Sequence, residues 1–259
     1  MIPKIIHYCW FGKKQIPNEY EKYMDSWKKY CPDYNIIQWN ENNFDVSINT
    51  YCYEAYKAKK WAFVSDYARL KILFIHGGIY LDTDVELLKP LDPLLKNNKA
   101  WIGFQNTEQI NTGLGFGSEP YNPCIEEMLK LYEKIHFIKP DKNFDLTPCP
   151  VINTVALKKC GLKTGKNNCN HIQYLPDITV YPICFFNPIN FDTKKSNISN
   201  QTYSIHHYSA SWIGQKQKRI QKIKGIIPNY ILNYRTILRS RRSVLKLENQ
   251  LERLKQLKE

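Results

Sequence analysis

Two carboxylates one residue apart, Asp82 and Asp84, close the apolar run Gly77-Gly-Ile-Tyr-Leu81. A carboxylate pair at a strand end gives a hard divalent cation two oxygen ligands and leaves its other positions to outside oxygens, substrate phosphates above all. Upstream, Asp66 and Arg69 are three residues apart in a stretch, 61–76, that reads as a helix, so they share a face. Alternation over 79–85 predicts a strand with Tyr80, Asp82 and Asp84 on one side and Ile79 and Leu81 on the other. An isolated Asp-x-Asp is also what a solvated turn looks like. Asp66 and Arg69 alone read as an intrahelical ion pair worth a few tenths of a kcal/mol. The position of the carboxylates, outside the end of a buried strand, is where α/β proteins place ligands.

The elements that must hold these groups follow from periodicity. Residues 4–10 read as a first buried strand leaving through Phe11-Gly12, and 18–30 as a helix with Tyr20, Tyr23, Met24 and Trp27 on its apolar side. A second strand is expected at 34–39, helices at 50–59 and 61–76, a short helical stretch to about 97, a strand at 100–104 and a helix at 121–135. Gly77 and Gly78 supply the backbone freedom that ends a helix. Asn111-Thr-Gly-Leu-Gly-Phe-Gly117 reads as a glycine-rich turn into a strand edge. Strands alternating with helices predict an α/β sandwich with a mostly parallel sheet. Residues 139–200, rich in Pro, Asn and Asp, read as loops with short elements.

Composition narrows the class. The chain has 259 residues, 43% hydrophobic and 14% aromatic, enough for a sizeable core. No apolar run reaches the roughly 20 residues of a membrane helix. The N-terminus lacks the pattern of a signal peptide, which points to a cytoplasmic protein. None of the eight cysteines forms a Cys-x-x-Cys pair, so they read as reduced structural thiols. The net charge of +13 is concentrated. Residues 215–259 hold 13 Lys/Arg against 3 Asp/Glu, a net of +10, which leaves +3 for residues 1–214. A nucleic-acid binder would be basic over its folded body, so no nucleic-acid partner is expected.

The motif spacing resembles one family. Ser65-Asp66-x-x-Arg69 followed by Gly77-Gly78-x-Tyr80-x-Asp82-x-Asp84 is similar to the donor-binding region of glycosyltransferase family 32. That family spans capsular polysaccharide sugar transferases, yeast initiating mannosyltransferases and, with the same spacing, the glucosylating domains of large clostridial toxins. Ile2-Pro-Lys-Ile-Ile-His7-x-x-Trp10 resembles its opening strand, and His206-His207-Tyr-Ser-Ala-Ser211-Trp212 its closing motif. The resemblance implies a GT-A fold over 1–214, a nucleotide-sugar donor such as a UDP-sugar, a divalent metal (Mn2+ or Mg2+) and retention of anomeric configuration. It implies Asp84 as direct metal ligand, Asp82 as a contact to ribose, sugar or metal, and His207 as second metal ligand. Asp66 and Arg69, with Ser65 beside them, fall to the donor sugar. Tyr80, Ser211 and Trp212 fall to the diphosphate end, His7 and Trp10 to the uracil, and Asn111 to the donor sugar. Asp145-Leu-Thr-Pro-Cys149-Pro is similar to a Thr-Gly-Pro stretch on the acceptor side, with Cys149 where glycine is usual. No catalytic nucleophile is assigned.

The tail, 215–259, is expected to be a basic amphipathic helix with Ile231, Tyr234, Leu238, Val244, Leu247, Leu251 and Leu254 on its apolar side. Two uses fit: peripheral contact with anionic lipid at the inner face of the plasma membrane, close to a lipid-linked glycan acceptor, or a short coiled coil giving a homodimer. Three alternatives to a polysaccharide transferase carry different signatures. A toxin-like enzyme shares the donor site and differs in its protein acceptor. An RNA-binding role would live in the tail alone. A haloacid-dehalogenase phosphatase needs a later Asp-Asp or Gly-Asp-x-x-x-Asp, and neither occurs.

Overall fold

The computed structural model describes residues 1–189, 196–208 and 229–256. Its centre is one mixed sheet. The strands are β1 (Ile5–Cys9), β2 (Asn35–Trp39), β3 (Gly78–Tyr80), β4 (Val85–Leu87), β5 (Ala100–Asn106), β6 (Gln109–Ile110), β7 (Phe116–Ser118), β8 (Gln173–Tyr174), β9 (Thr179–Tyr181) and β10 (Ser204–His206). The helices are α1 (Asn18–Tyr30), α2 (Thr50–Lys57), α3 (Trp61–His76), α4 (Asp92–Lys96), α5 (Pro123–Tyr132), α6 (Cys149–Lys159), α7 (Ile183–Phe186) and α8 (Asn229–Gln256).

The main sheet runs β2-β1-β3-β7-β5-β9-β8, with β6 beside β5. β1 pairs in parallel with β2 and β3, and β5 with β9, while β7 runs antiparallel to both its neighbours. The expected α/β sandwich with a mostly parallel sheet is therefore what forms. Its two faces carry separate cores. Tyr80, Ile102, Phe104 and Phe116 pack under α2, α3, α5 and α6. Ile6, Tyr8, Ile79, Leu81 and Trp101 pack on the other side with Trp27 of α1 and Phe186 of α7. Tyr80 thus opposes Ile79 and Leu81, as the period of two requires.

The structure departs from the sequence expectations at four places. Residues 79–85 are not one strand. β3 ends at Tyr80, and Asp82-Thr83-Asp84 form a turn closed by the Val85 amide on the Asp82 carbonyl at 3.0 Å. β4 then leaves the main sheet to pair antiparallel with β10. Second, β7 sits inside the sheet rather than at its edge, because Gly117 gives Trp101 the space a side chain would fill. Third, the segment expected to be loops with short elements also holds the 11-residue α6, whose residues Cys149 to Leu157 are all buried. A helix buried on every side, with Asn153 and Thr154 among its buried residues, lacks the amphipathic period by which helices are recognised.

Fourth, the tail helix is spoken for on one side. In α8, Val244 and Leu247 enter the main core and Leu251 packs against it, while Lys158 of α6 meets Glu248 at 2.9 Å. Val244, Leu247 and Leu251, three of the four residues offered for a coiled coil, therefore face the core of the same chain. Tyr234, expected on the apolar side, is 64% exposed. The Leu254 side chain lies outside the described residues. No helix among the described residues is long and apolar enough to cross a membrane. All eight cysteines are free thiols.

Candidate functional site

β1, β2 and β3 run in parallel, so their C-terminal ends share an edge, and Trp10, Trp39 and Asp82 lie at or just beyond it. The route into the site is fixed by glycine. Gly78, at φ +95°, lies where a Cβ would come within 2.8 Å of the Ile5 carbonyl and 2.9 Å of the His7 ring. Only glycine lets α3 turn back into the sheet this tightly.

Arg69 is the hub. Its guanidinium reaches Asp66 at 3.1 Å and Asp82 at 3.2 Å, its Nε donates to the Ser65 carbonyl at 3.1 Å, and it lies 4.8 Å from the centre of the Tyr80 ring. The Tyr80 hydroxyl donates to Asp82 at 3.0 Å. Gly113 closes against the same group: a Cβ there would lie 2.6 Å from Asp82 and 3.2 Å from Arg69. Asp82 is thus held on three sides, with its side chain still 26% exposed.

A second set of groups comes from the β4–β10 pair. His206 faces Val85 across this ladder, which carries its Nε2 to 3.0 Å from Asp84 and 3.9 Å from Asp82. One ligand atom each from Asp82, Asp84 and His206 lies within 4.8 Å of the others. The other ring nitrogen of His206, Nδ1, is buried with no hydrogen-bond partner among the described residues. Two carboxylates and an imidazole form a donor set that suits a Mn2+- or Mg2+-sized divalent ion, manganese more than magnesium because of the nitrogen.

Burial and charge pull these groups in opposite directions. Burial pushes the Asp66 carboxyl up to about 6, against the pull of Arg69. Burial likewise raises Asp82, opposed by Arg69 and reinforced by Asp84. For His206, burial favours the neutral ring, but Asp84 and then Asp82 more than reverse it, and the net shift is upward.

Several expected site residues have other work. His207 is the main correction. It follows His206 in an extended segment, so its ring points the opposite way, to Glu86 at 2.8 Å and to a stack on Tyr23 at 4.2 Å. His206, not His207, stands at the carboxylates. His7 is fully buried, its Nδ1 accepting from Trp39 and its Nε2 donating to the Gly77 carbonyl, both at 3.0 Å. Burial pushes its pKa down to about 4, so the ring is neutral and braces the sheet rather than meeting a base. Tyr80 is 1% exposed and supports Asp82 instead of reaching a diphosphate. The Ser65 hydroxyl bonds back to the Trp61 carbonyl, leaving its own carbonyl to orient Arg69. Asn111 is engaged at both ends of its amide, accepting from the Gly113 amide and donating to Gln105, each at 2.6 Å. It shapes the turn that brings Gly113 to Asp82. Trp10 is partly exposed beyond β1, its indole nitrogen bonded to the Lys14 carbonyl. Ser211 and Trp212 lie outside the described residues.

Two roles escaped the sequence reading, although both residues stand in segments it singled out. Gly113 matters for the side chain it lacks, and glycine-rich turns carry no mark of which glycine is pressed against a carboxylate. Cys149, at the start of α6, turns its thiol toward Asp66 and lies 3.9 Å from Asn111 and from Thr112. Its departure from the usual glycine was the available signal.

Parts of the chain match known proteins. A family model described as a glycosyltransferase sugar-binding region containing the DXD motif matches residues 17–101. An uncharacterized glycosyltransferase of Acanthamoeba polyphaga mimivirus is 32% identical over 141 residues, covering 50% of this chain and 55% of the relative. Inositol phosphoceramide mannosyltransferase 1 of Schizosaccharomyces pombe is 28% identical over 163 residues, 58% of this chain and 47% of the relative. The chain spans about half the length of these curated relatives. Among solved structures, the PaToxG glycosyltransferase aligns at 21% identity with a TM-score of 0.48, over 61% of this chain and 68% of that one. Residues 17–101, the stretch that matches this family model, hold Asp66, Arg69 and both carboxylates of the turn.

Proposed function

We propose that this chain is a metal-dependent, retaining glycosyltransferase that moves a sugar from a nucleotide-sugar, most readily a UDP-sugar, to a glycan or lipid-linked glycan in surface polysaccharide synthesis. The convergence of Asp82, Asp84 and His206 beside the Asp66–Arg69 pair carries the reading. Those three side chains would hold the divalent cation, which supplies counter-charge as negative charge builds on the departing diphosphate. Arg69 and Asp66 offer a donor and an acceptor, held rigidly by their mutual bond, for the hydroxyls of the donor sugar. Tyr80 and Gly113 keep Asp82 in place, and Trp10 offers the nucleotide base a partly exposed aromatic face. A lipid-linked acceptor at a membrane face is supported by the Schizosaccharomyces pombe relative, whose name gives an inositol phosphoceramide as its acceptor.

The deciding measurement is thermal unfolding with UDP- and GDP-sugars, with and without manganese. One nucleotide class raises the midpoint by about 5 °C or more, and only with metal present. The absence of metal-dependent stabilisation by any nucleotide-sugar would overturn the proposal.

A further inference from the structure

The outward side of α8 carries two adjacent stripes. Arg235, Arg242, Lys246 and Arg253 recur at helical spacing, and all four are exposed, with no ion pair among the described residues. Beside them run Tyr234, Leu238 and Leu245, at spacings of four and seven, so they share a face. Tyr234 is 64% and Leu245 46% exposed. The side of α8 that faces α6 is already buried through Val244 and Leu247. The helix is therefore fixed on the domain with a second amphipathic boundary facing out, over a length of about 40 Å. Its only acids are Glu248, engaged by Lys158, and Glu252.

We propose that this outward side of α8 lies flat on an anionic lipid surface, with the arginines on headgroup phosphates and Tyr234 and Leu245 at the headgroup–acyl boundary. Charge and shape favour lipid over nucleic acid. A nucleic-acid footprint calls for positive charge over the folded body, whereas residues 1–214 carry only +3 of the +13. A basic stripe beside a narrow apolar one is the pattern of an interfacial helix. A second copy of the chain would meet like charge along the whole stripe. The docked seam also limits depth: with Val244 and Leu247 held by α6, α8 cannot roll into the acyl region. Binding is shallow, reversible and sensitive to salt. The inference deepens the lipid-linked-acceptor reading, but its test involves no sugar donor, so the two can fail separately.

Co-sedimentation of the full chain with phosphatidylcholine vesicles, with and without phosphatidylglycerol, tests it. The chain pellets with the anionic vesicles only, and added salt releases it. Reversing three charges together (Arg242→Glu, Lys246→Glu, Arg253→Glu) weakens binding by roughly 10²-fold, and Tyr234→Ser with Leu245→Ser weakens it several-fold. Both variants unfold at the parent temperature. Equal binding to neutral vesicles, retention by the charge-reversed variant, or a chain that ignores anionic vesicles while holding a single-stranded oligonucleotide would overturn the proposal. So would a salt-stable dimer that the Tyr234→Ser, Leu245→Ser variant dissolves.

Discussion

The turn after β3 and the outer side of α8 both depend on charge, and they use it in opposite ways. At the turn, two carboxylates, an arginine and a histidine are held by one another and by Tyr80, with side-chain exposures of 5% for Arg69, 10% for His206 and 13% for Asp84. On α8 the cations outnumber the anions, and Arg235, Arg242, Lys246 and Arg253 stand exposed with no ion pair among the described residues. Buried charge is costly to desolvate and persists only where partners fix its geometry. Exposed charge is cheap and interchangeable. Single substitutions should therefore be severe at the turn, whereas on α8 only the sum of charges should matter.

The adjacent histidines give the sharpest test. His206→Ala removes a side chain from the set proposed to hold the metal. It should lower transfer by about 10³-fold and abolish stabilisation by manganese, as should Asp84→Ala, in line with the loss expected on losing a centre of transition-state charge. His207→Ala loses only the Glu86 contact and the stack on Tyr23, and should retain transfer within about tenfold of the parent. If the two histidine variants prove equal, or the order reverses, the contrast between held and spare groups fails.

That pair also shows how far the sequence could be read. The spacing of Asp66, Arg69, Asp82 and Asp84 was sufficient to single out the group that Arg69 joins, because helix period and motif spacing are local properties. Choosing between His206 and His207 was not local. It depends on the register of β10 against β4, a contact between segments more than 110 residues apart, and a one-residue shift in register exchanges the faces. The same holds for α6, hidden because burial on all sides erased its period, and for the turn at 82–84, where alternation continues past the end of the hydrogen-bonded strand. His7 misled for a related reason. It stands at the right place in the opening strand, but two hydrogen bonds and complete burial commit it to the frame.

Arg69 gives the next largest effect. Removing it leaves Asp66 and Asp82 without their shared cation, so Arg69→Ala should cost about 10²-fold in donor turnover. Arg69→Lys should rescue little, because one ammonium cannot bond Asp66, Asp82 and the Ser65 carbonyl in the plane that a guanidinium spans. Charge replacement on α8 should behave differently, with Arg242→Lys leaving vesicle binding within about twofold. Full activity in Arg69→Lys would place the hub in the same interchangeable class as the tail.

The smallest effect concerns protons. Asp66 in the fold is raised to about 6 from an ordinary value of 3.8, chiefly by burial. The folded chain therefore holds this proton more tightly than the unfolded chain does. The stability that comes from protonating Asp66 is fully present below about 3.8 and is lost as pH rises through about 6, a swing of about 3 kcal/mol at most. Activity should run the other way, because the acceptor that Asp66 offers a sugar hydroxyl, and its bond to Arg69, require the carboxylate. Transfer should fall several-fold as pH drops through about 6. Asp66→Asn should have low transfer with a flatter acid limb, and stability less dependent on pH over the same interval. Vesicle binding through α8 should hold steady there, since Asp66 has no part in the α8 stripe. Parallel loss of transfer and of vesicle binding on acidification would mean that the two regions are electrostatically one.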